Sequence, residues 1–98
     1  MTRRLIIRPE AEAEMGDAFD WYEERFSGLG SEFLMCLDAV FSAIVRSPQQ
    51  FPLVHRVVRR ALTRRFPYEV LFVENKERIV VLSVFHAKRN PKRWQERV

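Results

Sequence analysis

The sequence predicts an α+β fold in the order β-α-α-β-β-β, with a three-stranded antiparallel meander and the N-terminal strand packed on two helices. Three observations predict it. Apolar residues recur at three- and four-residue steps between residues 10 and 46, the period changes to two from Val54 onward, and the Pro-bearing "SPQQFP" at 47–52 separates the two regimes. A chain of 98 residues has room for one core, so residues 1–98 are expected to form a single domain.

The elements follow in order. "RRLIIR", residues 3–8, is bounded by Pro9 and predicts a short first strand. Pro9 suits the first helical position, where its missing N–H costs nothing, and Glu10, Glu12 and Glu14 suit the positive end of the helix dipole. Met15, Phe19, Tyr22 and Phe26 then form the apolar face of a helix over roughly 10–26. "SGLGS", residues 27–31, breaks it. A second helix, roughly 31–46, buries Phe33, Leu34, Leu37, Phe41, Ile44 and Val45, completing a helical hairpin. Strands are predicted at 57–62, 66–73 and 78–86, the last two joined through "ENKE" as a hairpin.

A hairpin symmetric about Asn75 and Lys76 would set Phe72 opposite Ile79, Val70 opposite Val81 and Tyr68 opposite Ser83. One face then carries Phe66, Tyr68, Val70, Phe72, Ile79, Val81 and Phe85 toward the helices. The other carries Arg65, Glu69, Leu71, Val73, Arg78, Val80, Leu82 and His86, with Arg65 facing His86. That second face is half apolar and basic at one end, with Arg64, Lys88 and Arg89 nearby in sequence. A surface of this kind is either covered by a partner or used as a site.

Composition narrows the chemistry. With 47% hydrophobic and 31% charged residues the chain is globular and not a disordered tail. No run reaches the ~20 apolar residues of a membrane span, and Pro9 and Glu10 interrupt any signal-like segment, so a cytoplasmic protein is expected. Cys36 is the only cysteine and His55 and His86 the only histidines, so neither a disulfide, a metal site nor a cofactor is expected. Residues 1–53 hold 5 Lys and Arg against 9 Asp and Glu, a balance of −4, and residues 54–98 hold 12 against 4, a balance of +8. A basic half of this strength suggests an anionic partner, either nucleic acid or an acidic polypeptide.

"RRFPYEVLFVENKERIVVLSVFHAKRNPKRW", residues 64–94, resembles the C-terminal signature of the RelE/ParE superfamily of toxins from bacterial type II toxin–antitoxin modules. The matching positions are Arg65, Phe66, Pro67, Tyr68, His86, Arg89, Pro91 and Trp94. The opening strand, helical hairpin and proline turn have the family's order as well, so the resemblance spans nearly the whole chain. It implies a cognate antitoxin whose C-terminal segment wraps across the toxin, and a toxin–antitoxin hetero-oligomer. A bound acidic segment folding on Leu71, Val73, Val80 and Leu82 would suit the half-apolar face.

Two activities are implied by the superfamily: ParE-like inhibition of DNA gyrase without chemistry of the toxin's own, and RelE-like cleavage of mRNA on the ribosome. Tyr68 in Phe-Pro-Tyr and the ending around His86, Arg89, Pro91 and Trp94 resemble the ParE side, and no tyrosine follows Tyr68. The expectation is therefore a growth-arresting toxin of a plasmid-stabilisation module, with Arg64, Arg65, His86, Lys88, Arg89 and Trp94 as candidates for gripping the target. A nuclease would instead use His86 and Glu69 for proton transfer and Arg65 and Arg89 for the phosphate. A remoter alternative is a basic nucleic-acid-binding module; against it, both helices lie in the acidic half, so no recognition helix is evident. Cys36 reads as a small core residue and Trp94 as an anchor for the tail. Trp21 offers a stacking surface.

Overall fold

The computed structural model describes residues 3–98. Strand β1, Arg4–Ile7, leads into helix α1, Pro9–Arg25, and helix α2, Leu29–Arg46, follows after a tight turn. A 3-10 turn at Pro48–Gln50 leads to β2, Leu53–His55, then β3, Val58–Leu62, β4, Tyr68–Glu74, β5, Arg78–His86, and a final helical turn α3, Lys92–Gln95. Among the described residues these strands make one five-stranded sheet in the order β1-β5-β4-β3-β2. The expected meander is present as β3-β4-β5, antiparallel throughout, while β1 pairs parallel to β5. The extra strand β2 was not expected.

Helices α1 and α2 lie on one face of the sheet, as the apolar periodicity demanded. Phe33, Leu37, Phe41 and Ile44 of α2 pack with Ala11, Ala18 and Tyr22 of α1 onto Ala61, Val70, Phe72, Ile79, Val81 and Val84. Leu34 and Val45 border this core. Pro9 opens α1 as expected. Phe26, expected on the apolar face of α1, lies just past its last residue and is 72% exposed.

The hairpin turn depends on two glycines. Gly28 has φ +90, a left-handed conformation that a side chain resists. Glu23 reaches back from α1 to accept the backbone N–H groups of Gly28 and Gly30, at 3.0 and 2.9 Å, and so caps the start of α2. At Gly30 the helices nearly touch: a Cβ there would sit 2.7 Å from the Phe19 carbonyl oxygen. Gly30→Ala is therefore expected to force the hairpin apart and lower stability by about 1–3 kcal/mol, read as a fall in melting temperature with the far-UV spectrum retained.

The β4/β5 register differs from expectation. Tyr68 pairs with His86, Val70 with Val84 and Leu71 with Ser83; Phe72 then pairs with Val81 and Glu74 with Ile79. The step between Leu71 and Phe72 leaves Leu82 as an extra residue, a β-bulge that reverses the in-and-out alternation along β5. Two corrections follow. Phe85 turns to the outer face, where it packs with Leu71, Leu82 and Val58, and His86 turns to the helix side beside Tyr68. The expected pairing of Arg65 with His86 does not form.

The outer face is not open. Trp94 of α3 is 3% exposed and covers Val58, Leu71, Leu82 and Phe85, with the His55 ring edge-on at 5.7 Å. Of the residues expected to meet an antitoxin, Leu71 and Leu82 lie buried beneath the tail, and Val73 and Val80 remain half-buried at its margin.

Candidate functional site

Beyond Val81 the strand β5 has no neighbour on its β1 side, because Pro9 turns the chain from β1 into α1. Side chains take over there. Glu14 of α1 accepts the buried Ser83 hydroxyl at 2.8 Å and the Val84 N–H at 3.2 Å. Arg97 donates to both Glu14 oxygens at 3.3 Å and to the Leu82 carbonyl at 3.0 Å, tying the C-terminal tail to the bulge. This satisfies the backbone groups that the bulge and the missing strand would otherwise leave unpaired.

Next to this tie lies a cleft of about 650 Å³ between α1 and the end of β5. Glu14, Asp17 and Trp21 form its α1 wall, Tyr68 and His86 line it from the sheet, and Lys88 and Arg89 stand in the turn after β5. The Phe-Pro-Tyr segment positions it. Phe66 stacks edge-on against Tyr22 and Phe33, at centroid distances of 4.8 and 5.2 Å, and Pro67 accepts the Ala87 N–H at 2.8 Å. Tyr68 is thus pinned between Phe33 and His86, both at 5.1 Å. Burial pushes the Tyr68 phenol above its ordinary pKa; Arg89 pulls it down, and Glu14 and Asp17 push it up again.

The expected site residues divide. His86, Lys88 and Arg89 come together in the cleft. His86 Nδ1 accepts the Lys88 N–H at 3.1 Å, and its carbonyl accepts the Arg89 N–H at 3.0 Å, so the histidine shapes the turn that carries the two cations. Arg65 lies elsewhere: its guanidinium donates to Glu32 of α2 at 2.7 Å, which raises its pKa, and it stacks on Phe66. Arg64 is exposed and Trp94 is buried in the outer cluster. Glu69 pairs with Leu62 and Phe85 on the outer face, opposite to the face of His86. The residues missed were Glu14 and Asp17, although a spacing of three and four puts them on one stripe of α1 with Trp21, which was expected only as a stacking surface.

Burial raises the Glu69 pKa, with Arg60 opposing. A carboxyl whose folded pKa lies above its unfolded one is favoured in its protonated form, so its penalty is absent at low pH and appears as pH rises through those two values. Glu69→Gln is therefore expected to melt above wild type at pH 7 and level with it at pH 3.

Cys36 is half-buried against the core, as expected. Among the described residues no group of three or more His, Cys, Asp or Glu side chains could hold a metal ion, and no helix is long and apolar enough to cross a membrane.

Fold and cleft together define a small two-layer α+β protein with a cleft lined by charges of both signs at one end of its sheet. No family model matches the chain. Toxin ParE2 of Mycobacterium tuberculosis, in strains CDC 1551 and H37Rv, is 29% identical over 92 residues, covering 93% of this chain and 88% of that protein. A solved structure described as a chromosomal ParDE TA system from P. aeruginosa superimposes with a TM-score of 0.79 at 15% identity, over 89% of this chain and 98% of the other. The chain is thus similar in sequence to a ParE toxin and shares the fold of the ParDE structure, and these likenesses favour the ParE-like expectation over its RelE-like alternative.

Proposed function

We propose that this chain is the toxin of a type II toxin–antitoxin module, that it acts in the cytoplasm by binding DNA gyrase, and that a cognate antitoxin neutralises it. The observation that carries the binding mode is the dispersal of the residues a nuclease would need. His86 and Glu69 project from opposite faces of the sheet, and Arg65 is engaged by Glu32. Glu14, one of the two carboxylates lining the cleft, is engaged by Ser83, Val84 and Arg97. What the cleft does gather is an exposed tryptophan, a tyrosine and two cations, the residue types that anchor protein interfaces.

The antitoxin has a separate surface available. Leu62 is exposed on the outer face of β3, the face on which Val73 and Val80 stay half-buried, Arg60 adds a cation there, and Val57 is exposed in the turn between β2 and β3. An acidic segment with apolar side chains matches that patch. The genetic test is expression of the chain alone against coexpression with the product of an adjacent reading frame. Growth arrest in the first culture and growth in the second is the expected result; equal growth in both, with soluble protein present, would count against an active toxin.

A further inference from the structure

The cleft is less basic than the half of the chain that contributes its rim. Its α1 wall carries Glu14 and Asp17, and Lys88 and Arg89 stand across from them. Glu14 is compensated by Arg97 at 3.3 Å, whereas Asp17 makes no ion pair among the described residues. Trp21 is 51% exposed, and Arg25 lays its guanidinium over the indole at 4.0 Å, a cation–π contact that an incoming guanidinium would displace at the solvent-facing ring. Beside them the Tyr68 ring presents a second aromatic surface.

We infer that the cleft recognises a peptide segment carrying a basic side chain next to an acidic one: the base, best an arginine, enters between Asp17, Trp21 and Tyr68, while the acid meets Lys88 and Arg89. An arginine fits because its planar guanidinium can stack on an aromatic ring and donate to a carboxylate together, which a lysine ammonium does less well. A volume of about 650 Å³ takes more than one side chain, in keeping with a paired contact. Nucleic acid fits worse. Its phosphates would suit Lys88 and Arg89 but face Asp17 and the acidic helix behind it, which also carries Glu10, Glu12 and Glu24. The inference rests on the proposed function only in assigning the segment to the toxin's protein target.

The full chain, titrated with acetyl-Arg-Glu amide and followed by the shifts of the exposed Trp21 indole N–H and of the Lys88 and Arg89 backbone N–H groups, the latter serving for the variant without the indole, tests the chemistry without gyrase. The expected result is binding at least about threefold tighter than acetyl-Gln-Gln amide, a preference that Asp17→Asn and Trp21→Ala each abolish. Both positions are exposed, so melting temperatures should stay close to wild type. Acetyl-Glu-Glu amide or a short oligoribonucleotide binding at Trp21 as tightly as acetyl-Arg-Glu amide would overturn the inference, as would indifference to Asp17→Asn. In a parallel supercoiling assay the same two variants should inhibit gyrase less than wild type. A wild-type chain that leaves gyrase untouched would remove the assignment to that target, and the dipeptide titration would still decide what the cleft prefers.

Discussion

Trp94→Ala is expected to lower the unfolding free energy by about 3–5 kcal/mol, the range for truncating a buried aromatic side chain. Trp94 is almost wholly buried, and it closes the outer cluster of Val58, Leu71, Leu82 and Phe85 that the two long helices cannot reach. Removing it opens a cavity under a single helical turn, which has little else to hold it except the contacts of Arg97 with Glu14 and Leu82. In a domain of this size each kcal/mol moves the midpoint by roughly 4–8 °C, so melting should fall by at least about 12 °C. Trp94→Phe supplies the control. The indole N–H meets no acceptor among the described residues, so phenylalanine keeps most of the packing and gives up no hydrogen bond. Denaturant curves should separate the two variants by more than about 2 kcal/mol; equal losses would mean that the tail does not pack as described.

The second large effect is a contrast within the cleft. His86→Gln keeps a side chain of similar reach that can still accept the Lys88 N–H, but it cannot titrate near neutrality. A binder should tolerate it, with inhibition of gyrase within about threefold of wild type, whereas a nuclease that uses the histidine for proton transfer should lose about 10²–10⁴ in rate. Arg89→Ala should weaken a binder more, by about 1–3 kcal/mol, because it removes a cation that faces the partner. Arg65→Ala should do little. Its pair with Glu32 is solvent-exposed and so adds little, and it lies outside the cleft.

Periodicity made most of the fold legible in advance. Both long helices, the hairpin glycines and the β3-β4-β5 order follow from spacing and turn residues that act locally. The register of β5 was not legible, because the single extra residue at Leu82 leaves no mark in an apolar run where both faces are buried. That one residue moved Phe85 outward and His86 inward, and with them the site. Strand β2 escaped notice for a related reason: three residues after a proline, two of them exposed, carry no alternation to read. The cleft was half legible. The His-x-x-Arg pattern marked His86 and Arg89 for the site, whereas Tyr68 was expected on the opposite, core-facing side, Glu14 looked like an ordinary acid at the start of a helix and Asp17 carried no mark. Only the packing of α1 against β5 makes them a wall.

The proposal that this chain acts by gripping a protein, with no chemistry of its own, is tested most directly by exposing purified gyrase and translating ribosomes to the same preparation. Supercoiling of relaxed plasmid and integrity of the message would be scored side by side for wild type, His86→Gln and Arg89→Ala. The expected result is supercoiling lost with wild type, largely still lost with His86→Gln, restored in part with Arg89→Ala, and message intact throughout. Cut messages with untouched supercoiling, abolished by His86→Gln, would contradict it.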